Sequence, residues 1–364
     1  MASQINDFEW DVLLEKLKSS KCEGALVLGE GAFFTSDGKL LKDKYNAFLD
    51  KNLAGLFRRQ KEDDLLSMAD HDRTTFCTKV RNFYATQEPD ELLQQIAQIP
   101  FPLIINTTPH GQIAKAVNCG APQIRHYNRS AQQEKIEKPT ASNPLIYNLV
   151  GTIEDDNTLV LTYNNLFDYF DSIFHEYRLP DDLREILRGI KYFVFLGVPF
   201  DRWYFHLFLR ILNIHTYKNA HRHTPIDSRF NKAVMEFCNE LFEIKFVAGR
   251  KNVAEFVAQL HNRCVPAGIL RLENKSMLSV LDLIENQLKH DELEEAIKLL
   301  SGYLKELEND DLTNDLAIFS ARFHKYKKGT LNGTLDPREA KTEYAQIVNG
   351  LNILLNSARK LPTI

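Results

Sequence analysis

The most constraining feature of this sequence is an alternation that stops. Up to about residue 264, short apolar runs bounded by turn residues occur at 24–29, 103–106, 123–126, 145–148, 158–161, 192–196 and 241–247. Helical spacing is read between most of them, at 41–57, 73–84, 164–177 and 202–212, and before the first at 5–17, where Ile5, Phe8, Val12, Leu13 and Leu17 recur. Near-continuous apolar strands alternating with helices predict a mostly parallel sheet with helices on both faces. Residues 1–264 are therefore read as an α/β domain.

After Pro266-Ala267-Gly268 no strand-like run follows, and residues 265–275 are read as a linker. Four helical patterns then fill residues 276–364. They lie at 276–289 (Met277, Val280, Leu281, Ile284, Leu288), 291–307 (Leu293, Ile297, Leu300, Leu304), 316–326 (Phe319, Phe323) and from Asp336 onward. The last has the strongest start signal: Asp336 as N-cap, Pro337 at the first helical position and Glu339 three residues after the cap. A small all-α bundle is expected.

Charge and cysteine usage exclude several roles. A formal net charge of -4 provides no global positive field for nucleic acid or an anionic membrane. The 5 cysteines (Cys22, Cys77, Cys119, Cys238, Cys264) form no CxxC pair and read as buried thiols. The N-terminus lacks the features of a signal peptide, and the apolar stretch 192–200 is far short of the ~20 residues of a membrane helix, so a cytoplasmic protein is expected. No metal is expected either: His221-Arg222-His223 has no Cys or acid at ligand spacing and reads as a solvated loop. Trp10 and Trp203 read as core, and residues 127–144 as a surface loop.

The turn Gly29-Glu30-Gly31-Ala32-Phe33 follows the first strand, and a glycine turn there lets backbone approach a pyrophosphate. Further along come PLIINTTPH (102–110), LIYNLVGTI (145–153), TLVLTYNNLFDY (158–169) and FVFLGVPFDRW (193–203). In this order residues 1–264 resemble the sirtuin-like NAD-consuming domain of bacterial defence proteins. Such domains carry a GAGxS turn, strands ending in TTNYD and LHG, a VLT segment and a FLGxSxxDw turn. The resemblance implies a Rossmann-like fold with NAD in its crevice, contacted by Gly29, Glu30, Gly31, Ala32, Phe33, Asn106, Gly197 and Asp201. It also implies catalytic positions at Thr108, where the family has asparagine, and Val150, where it has the histidine that acts as base.

Those positions depart from the pattern. Valine cannot take a proton, Phe33 replaces a hydroxyl donor, His110 stands where the family has aspartate, and Glu30 beside a pyrophosphate would add repulsion of roughly 1 kcal/mol. A fold kept without the usual activity is the leading reading: a sensor, scaffold or regulated effector. The alternatives are a divergent NAD hydrolase, with His110 or His126 as substitute base and Asn106 as substitute amide, and a nucleotide sensor without turnover. Asp201 is read as a helix N-cap or as an adenosine-side contact.

The C-terminal segments LDLIENQLKHDELEEAIKLLSGYLKELEN and DLAIFSARFHKYKKG, with the long final helix, resemble the effector-associated domains of prokaryotic conflict systems, which are death-fold-like recruitment bundles. The resemblance implies a partner bearing a homologous domain. Charge points the same way: between Asp282 and Asp315 eleven acids face three bases, followed at once by Arg322, Lys325, Lys327 and Lys328. Oppositely charged surfaces predict head-to-tail pairing and a homo-oligomer.

Overall fold

The computed structural model describes residues 5–60, 63–118, 122–131, 133–217, 220–226, 231–247, 253–271, 281, 284–285, 287–288, 293–306, 310–332, 334 and 336–359. The chain divides into two compact units at Arg271 and Leu272.

The first unit is a seven-stranded sheet with every pairing parallel. Its strands are β1 (Gly24–Leu28), β4 (Leu103–Asn106), β5 (Gln123–His126), β6 (Leu145–Asn148), β7 (Tyr192–Leu196), β8 (His221–Pro225) and β9 (Lys245–Val247), in the order β5-β6-β4-β1-β7-β8-β9. A separate two-residue ladder joins β2 (Arg58–Arg59) to β3 (Leu66–Ser67). Helices α1 (Asp7–Lys18), α2 (Leu41–Asn52), α3 (Asp70–Ala85), α4 (Glu91–Gln98), α5 (Gln112–Ala116), α6 (Tyr163–Asp171), α7 (Asp181–Gly189), α8 (Trp203–Ile211), α9 (Lys232–Phe242) and α10 (Val253–Cys264) flank the sheet.

Both faces of the central strands are dry. Ala25, Val27, Leu103, Ile105, Phe193 and Phe195 pack with Leu166, Tyr169, Leu183, Leu187 and Phe205, while the intervening Leu26, Ile104, Ile146 and Val194 are equally buried. Two-sided burial explains why these strands read as unbroken apolar runs.

Several expectations are corrected. Segment 158–161 is no strand; it lies in irregular backbone where Val160 N–H donates to the Val150 carbonyl at 3.3 Å. In 241–247 only Lys245–Val247 is extended, because α9 continues to Phe242. His221-Arg222-His223 is strand β8: Arg222 is buried and donates to the carbonyls of Ile214, Tyr217 and Ala220 and to Glu243. Trp203 is 41% exposed, whereas Trp10 is core. Within 127–144, Tyr127 is fully buried and its hydroxyl donates to the Tyr177 carbonyl at 2.6 Å. Beyond α10, Arg271 closes the unit, with its guanidinium donating to the carbonyls of Ala97, Phe101 and Ala141.

The second unit contains α11 (Leu293–Glu306), α12 (Asp310–Leu331) and α13 (Pro337–Ala358) around Leu300, Leu304, Leu316, Phe323, Ile347, Leu351 and Leu354. Asp336 caps α13 through the Arg338 amide at 2.8 Å, with proline at the start. Of the expected helix 276–289 only Leu281, Ile284, Glu285, Gln287 and Leu288 are described, and Leu281, Ile284 and Leu288 join this core; the rest of it, residues 272–275 and Cys119 lie outside the described residues. Cys22, Cys77, Cys238 and Cys264 are buried thiols. No described helix is long and apolar enough to cross a membrane.

Candidate functional site

A parallel sheet opens a crevice where successive strands depart in opposite directions, beyond the carboxyl ends of the strands. Here that place is β1, flanked by β4 and β7. The cavity found there is lined by Glu30 after β1, Thr107 and Pro109 after β4, Val150 after β6 and Pro199 after β7. Lys42, Tyr45 and Leu49 of α2, Arg59 of β2, Asp63–Leu66 before and within β3, Val160 and Leu161, and Tyr204, Phe205 and Phe208 of α8 also line it. Its volume is about 130 Å³. Small-molecule sites start at roughly 300 Å³.

The glycine turn is locked against the loop after β7. Gly29 N–H donates to the Leu196 carbonyl and Gly31 N–H to the Gly197 carbonyl, each at 2.9 Å; Ala32 N–H turns back to Gly29 and Phe33 N–H to Glu30. The close approach requires both glycines, since a Cβ on Gly29 would sit 2.5 Å from the Gly197 oxygen. Gly197 has φ +65°, and a Cβ there would meet Ala32 N at 2.1 Å. The amides of Gly29, Gly31, Ala32 and Phe33 thus donate to carbonyls of the chain itself. Phe33 is buried, with its ring edge-on to His110 at 4.5 Å.

Charge at the mouth is arranged around Lys42. Its Nζ lies 2.8 Å from Glu30 Oε2 and 2.7 Å from Asp64 Oδ2, and the same Asp64 oxygen accepts from Arg202 Nη2 at 2.8 Å. Burial opposes the Lys42 charge, but Glu30 and Asp64 outweigh it and hold its pKa above the ordinary value. Glu30, the first residue of a short 3₁₀ turn, thus faces Lys42 and lines the cavity. Tyr163 donates to the Asp63 carboxylate and Tyr204 to the Asp63 carbonyl.

The residues expected at the nicotinamide ribose lie beneath this surface. Asn106 is fully buried: its Nδ2 donates to the carbonyls of Thr108 and His110 at 3.1 Å each and to Asn148 Oδ1 at 2.8 Å. Thr108 Oγ1 donates to Asn106 Oδ1 at 2.7 Å. His110 is 4% exposed, packs on Tyr84 and Phe33, and is pushed down to about 3 by burial, so it is a neutral, weak base. Asn106, Thr108 and His110 form one hydrogen-bonded cluster that organises the loop after β4; none of them lines the cavity, whereas Val150 does. His126 ends the edge strand β5, three strands from β1, and does not line it. Asp201 does not cap α8, where Arg202 holds the N-cap position and makes no side-chain bond to the first helical amides; Asp201 instead lies 3.7 Å from Arg202 Nε.

Sequence reasoning missed Lys42, Asp64 and Arg202. Lys42 follows the first residue of an ordinary amphipathic helix, and Asp64 sits in a polar stretch, so neither carries a local signal; Arg202 was inside the quoted FDRW segment. Among the described residues no cluster of three metal-ligating side chains occurs.

Residues 279–359 match the family model of Effector-associated domain 11, in agreement with the resemblance carried by the C-terminal helices. No curated protein matches the chain significantly.

Proposed function

We propose that the chain is a conflict-system protein whose effector-associated domain recruits a partner bearing a homologous domain, or a second copy, to a sirtuin-like α/β unit. The α/β unit acts as a sensor, scaffold or regulated effector more than as an efficient NAD hydrolase. The observation that carries the recruitment half is the family match over 279–359. What supports the other half is chemical: Val150 fills the family's base position, and the nearby imidazole, His110, is walled in and held neutral. Nucleotide sensing without turnover is favoured by the two cations, Lys42 and Arg202, that converge at the crevice mouth.

Proton NMR of millimolar NAD with the full chain tests the reading. No free nicotinamide is expected, and line broadening of NAD would select the sensor. Nicotinamide release that disappears in His110→Ala or His126→Ala would make the protein a divergent hydrolase.

A further inference from the structure

The crevice is filled from within. Asp63, Asp64, Leu65 and Leu66 line the cavity and leave it about 130 Å³. Lys42 reaches in from α2, Arg202 approaches from the residue before α8, and the two, with side chains only 23% and 19% exposed, meet on one oxygen of the cavity-lining Asp64. Two cations converge on one carboxylate oxygen, with Glu30 on the far side of Lys42 and Asp201 3.7 Å from Arg202 Nε. Without Asp64, Lys42 keeps Glu30 and Arg202 keeps the longer Asp201 contact, while the Nη2 donor that Asp64 held is open to an incoming anion. Phosphate recognition at this mouth falls to side chains, because the amides of Gly29, Gly31, Ala32 and Phe33 already donate inside the protein.

Among the described residues the segment carrying Asp64 joins the unit through a small set of bonds. Its backbone is held by a two-residue ladder, by Leu66 N–H on the Leu161 carbonyl at 2.8 Å, by the Tyr204 hydroxyl on the Asp63 carbonyl at 3.3 Å and by the Gln60–Leu65 and Asp64–Gln60 bonds, and the Asp63 side chain by Tyr163. A two-residue ladder is marginal by itself. Asp64 has φ +58°, a left-handed conformation that aspartate tolerates better than most residues. We propose that the Asp64 carboxylate is an internal occupant of an anion site formed by Lys42 and Arg202, and that a pyrophosphate-bearing ligand opens the crevice by displacing it. The same movement frees the two cations and enlarges the cavity. The inference deepens the sensing function proposed above and names its ligand class.

The test uses inorganic pyrophosphate and ADP as probes, with the full chain. In titration calorimetry Asp64→Asn is expected to bind pyrophosphate about tenfold tighter than the unaltered protein, since the internal competitor is gone. Adding Lys42→Met should abolish the gain. In the unaltered protein, saturating pyrophosphate should speed hydrogen exchange at the Leu66 amide, a readout that needs no variant. Unchanged affinity in Asp64→Asn, a gain that survives Lys42→Met, absence of binding in both forms, or unchanged Leu66 exchange would each overturn the proposal. ADP binding no tighter than pyrophosphate would assign recognition to the phosphates alone, as proposed; ADP binding that survives Lys42→Met would overturn it. None of these readouts follows nicotinamide, so hydrolysis of NAD would remove the functional reading and leave the displacement standing or falling by itself.

Discussion

Asn106 and Asn148 end the neighbouring strands β4 and β6 in register, and their side chains are joined by a 2.8 Å bond from Nδ2 to Oδ1. The remaining capacity of Asn106 serves Thr108 and His110, so one buried amide sets the path of the loop that borders the crevice. Leaving a buried polar partner unsatisfied costs about 1–3 kcal/mol. Asn106→Ala is therefore expected to lower unfolding stability by about 3 kcal/mol in equilibrium denaturation. An Asn106 that oriented a substrate and supported nothing else would leave the denaturation midpoint unmoved.

Gly197→Ala should be among the most damaging small changes in the α/β unit. The left-handed backbone costs a non-glycine residue about 1–3 kcal/mol, and the new methyl would overlap backbone atoms of Gly31 and Ala32 that cannot swing away. Loss of about 3 kcal/mol or more is expected, read as a lower unfolding midpoint. Gly29→Ala should behave alike from the other side of the same contact.

Two buried histidines give the fold an acid sensitivity. Burial pushes His110 down to about 3, and His223 to about 4 against the smaller opposing pull of Glu9. The unfolded chain binds their protons below the ordinary value of about 6.5 while the native chain does not, so stability falls as pH drops through that value toward the folded ones. Each group should remove about 1 kcal/mol between pH 7 and pH 5.5. Denaturation at both pH values in the His110→Gln protein should show that half of this histidine-linked loss is gone; an unchanged loss would contradict a neutral buried His110.

The sheet was legible where strands are buried on both sides. β4, β6 and β7 were expected with the bounds they have, because chain without polar alternation can only be interior, and the edge strand β5 was also expected at 123–126 although Ile124 there is 47% exposed. β8 was not legible, since HRHTP contains no aliphatic residue: Arg222 is buried by donating to three carbonyls, a tertiary arrangement without local pattern. The 158–161 run misled for the opposite reason. It is apolar because it lines the crevice, and Leu161 accepts from Leu66 instead of joining the sheet. Motif positions placed Val150 and Glu30 at the cavity but could not show that Asn106, Thr108 and His110 turn inward, because side-chain direction after a strand depends on the loop's hydrogen bonds.

Association through the helical unit should depend on salt. Lys327 pairs with Glu294 at 2.5 Å, Arg359 with Glu285 at 2.5 Å and Arg322 with Glu343 at 3.0 Å, so part of each charged surface is neutralised within the unit. Lys325 and Lys328 line a groove with Arg322 and Arg338, and no ion pair joins either lysine to an acid among the described residues. If the groove receives an acidic face, raising salt from about 50 to 300 mM shortens the screening length and should weaken association measured by sedimentation. Lys325→Glu with Lys328→Glu should weaken it about tenfold with an unchanged circular dichroism spectrum. Salt-independent association would count against charge pairing.

Gly350 lies in the interior of α13, where helix propensity alone favours alanine by about 1 kcal/mol. The packing reverses that sign. A Cβ at 350 would lie 2.1 Å from Cε1 of Phe319 on α12, and the other two closest atoms belong to the same ring, so glycine is what lets the two helices approach. Overpacking of this kind costs about 1–3 kcal/mol. Gly350→Ala is expected to lower the unfolding midpoint of the helical unit in thermal scans, and Phe319→Leu in the same chain should recover part of the loss by clearing the methyl's path. An increase in stability on Gly350→Ala would mean that the ring moves aside freely and that α12 and α13 are not held together at this crossing.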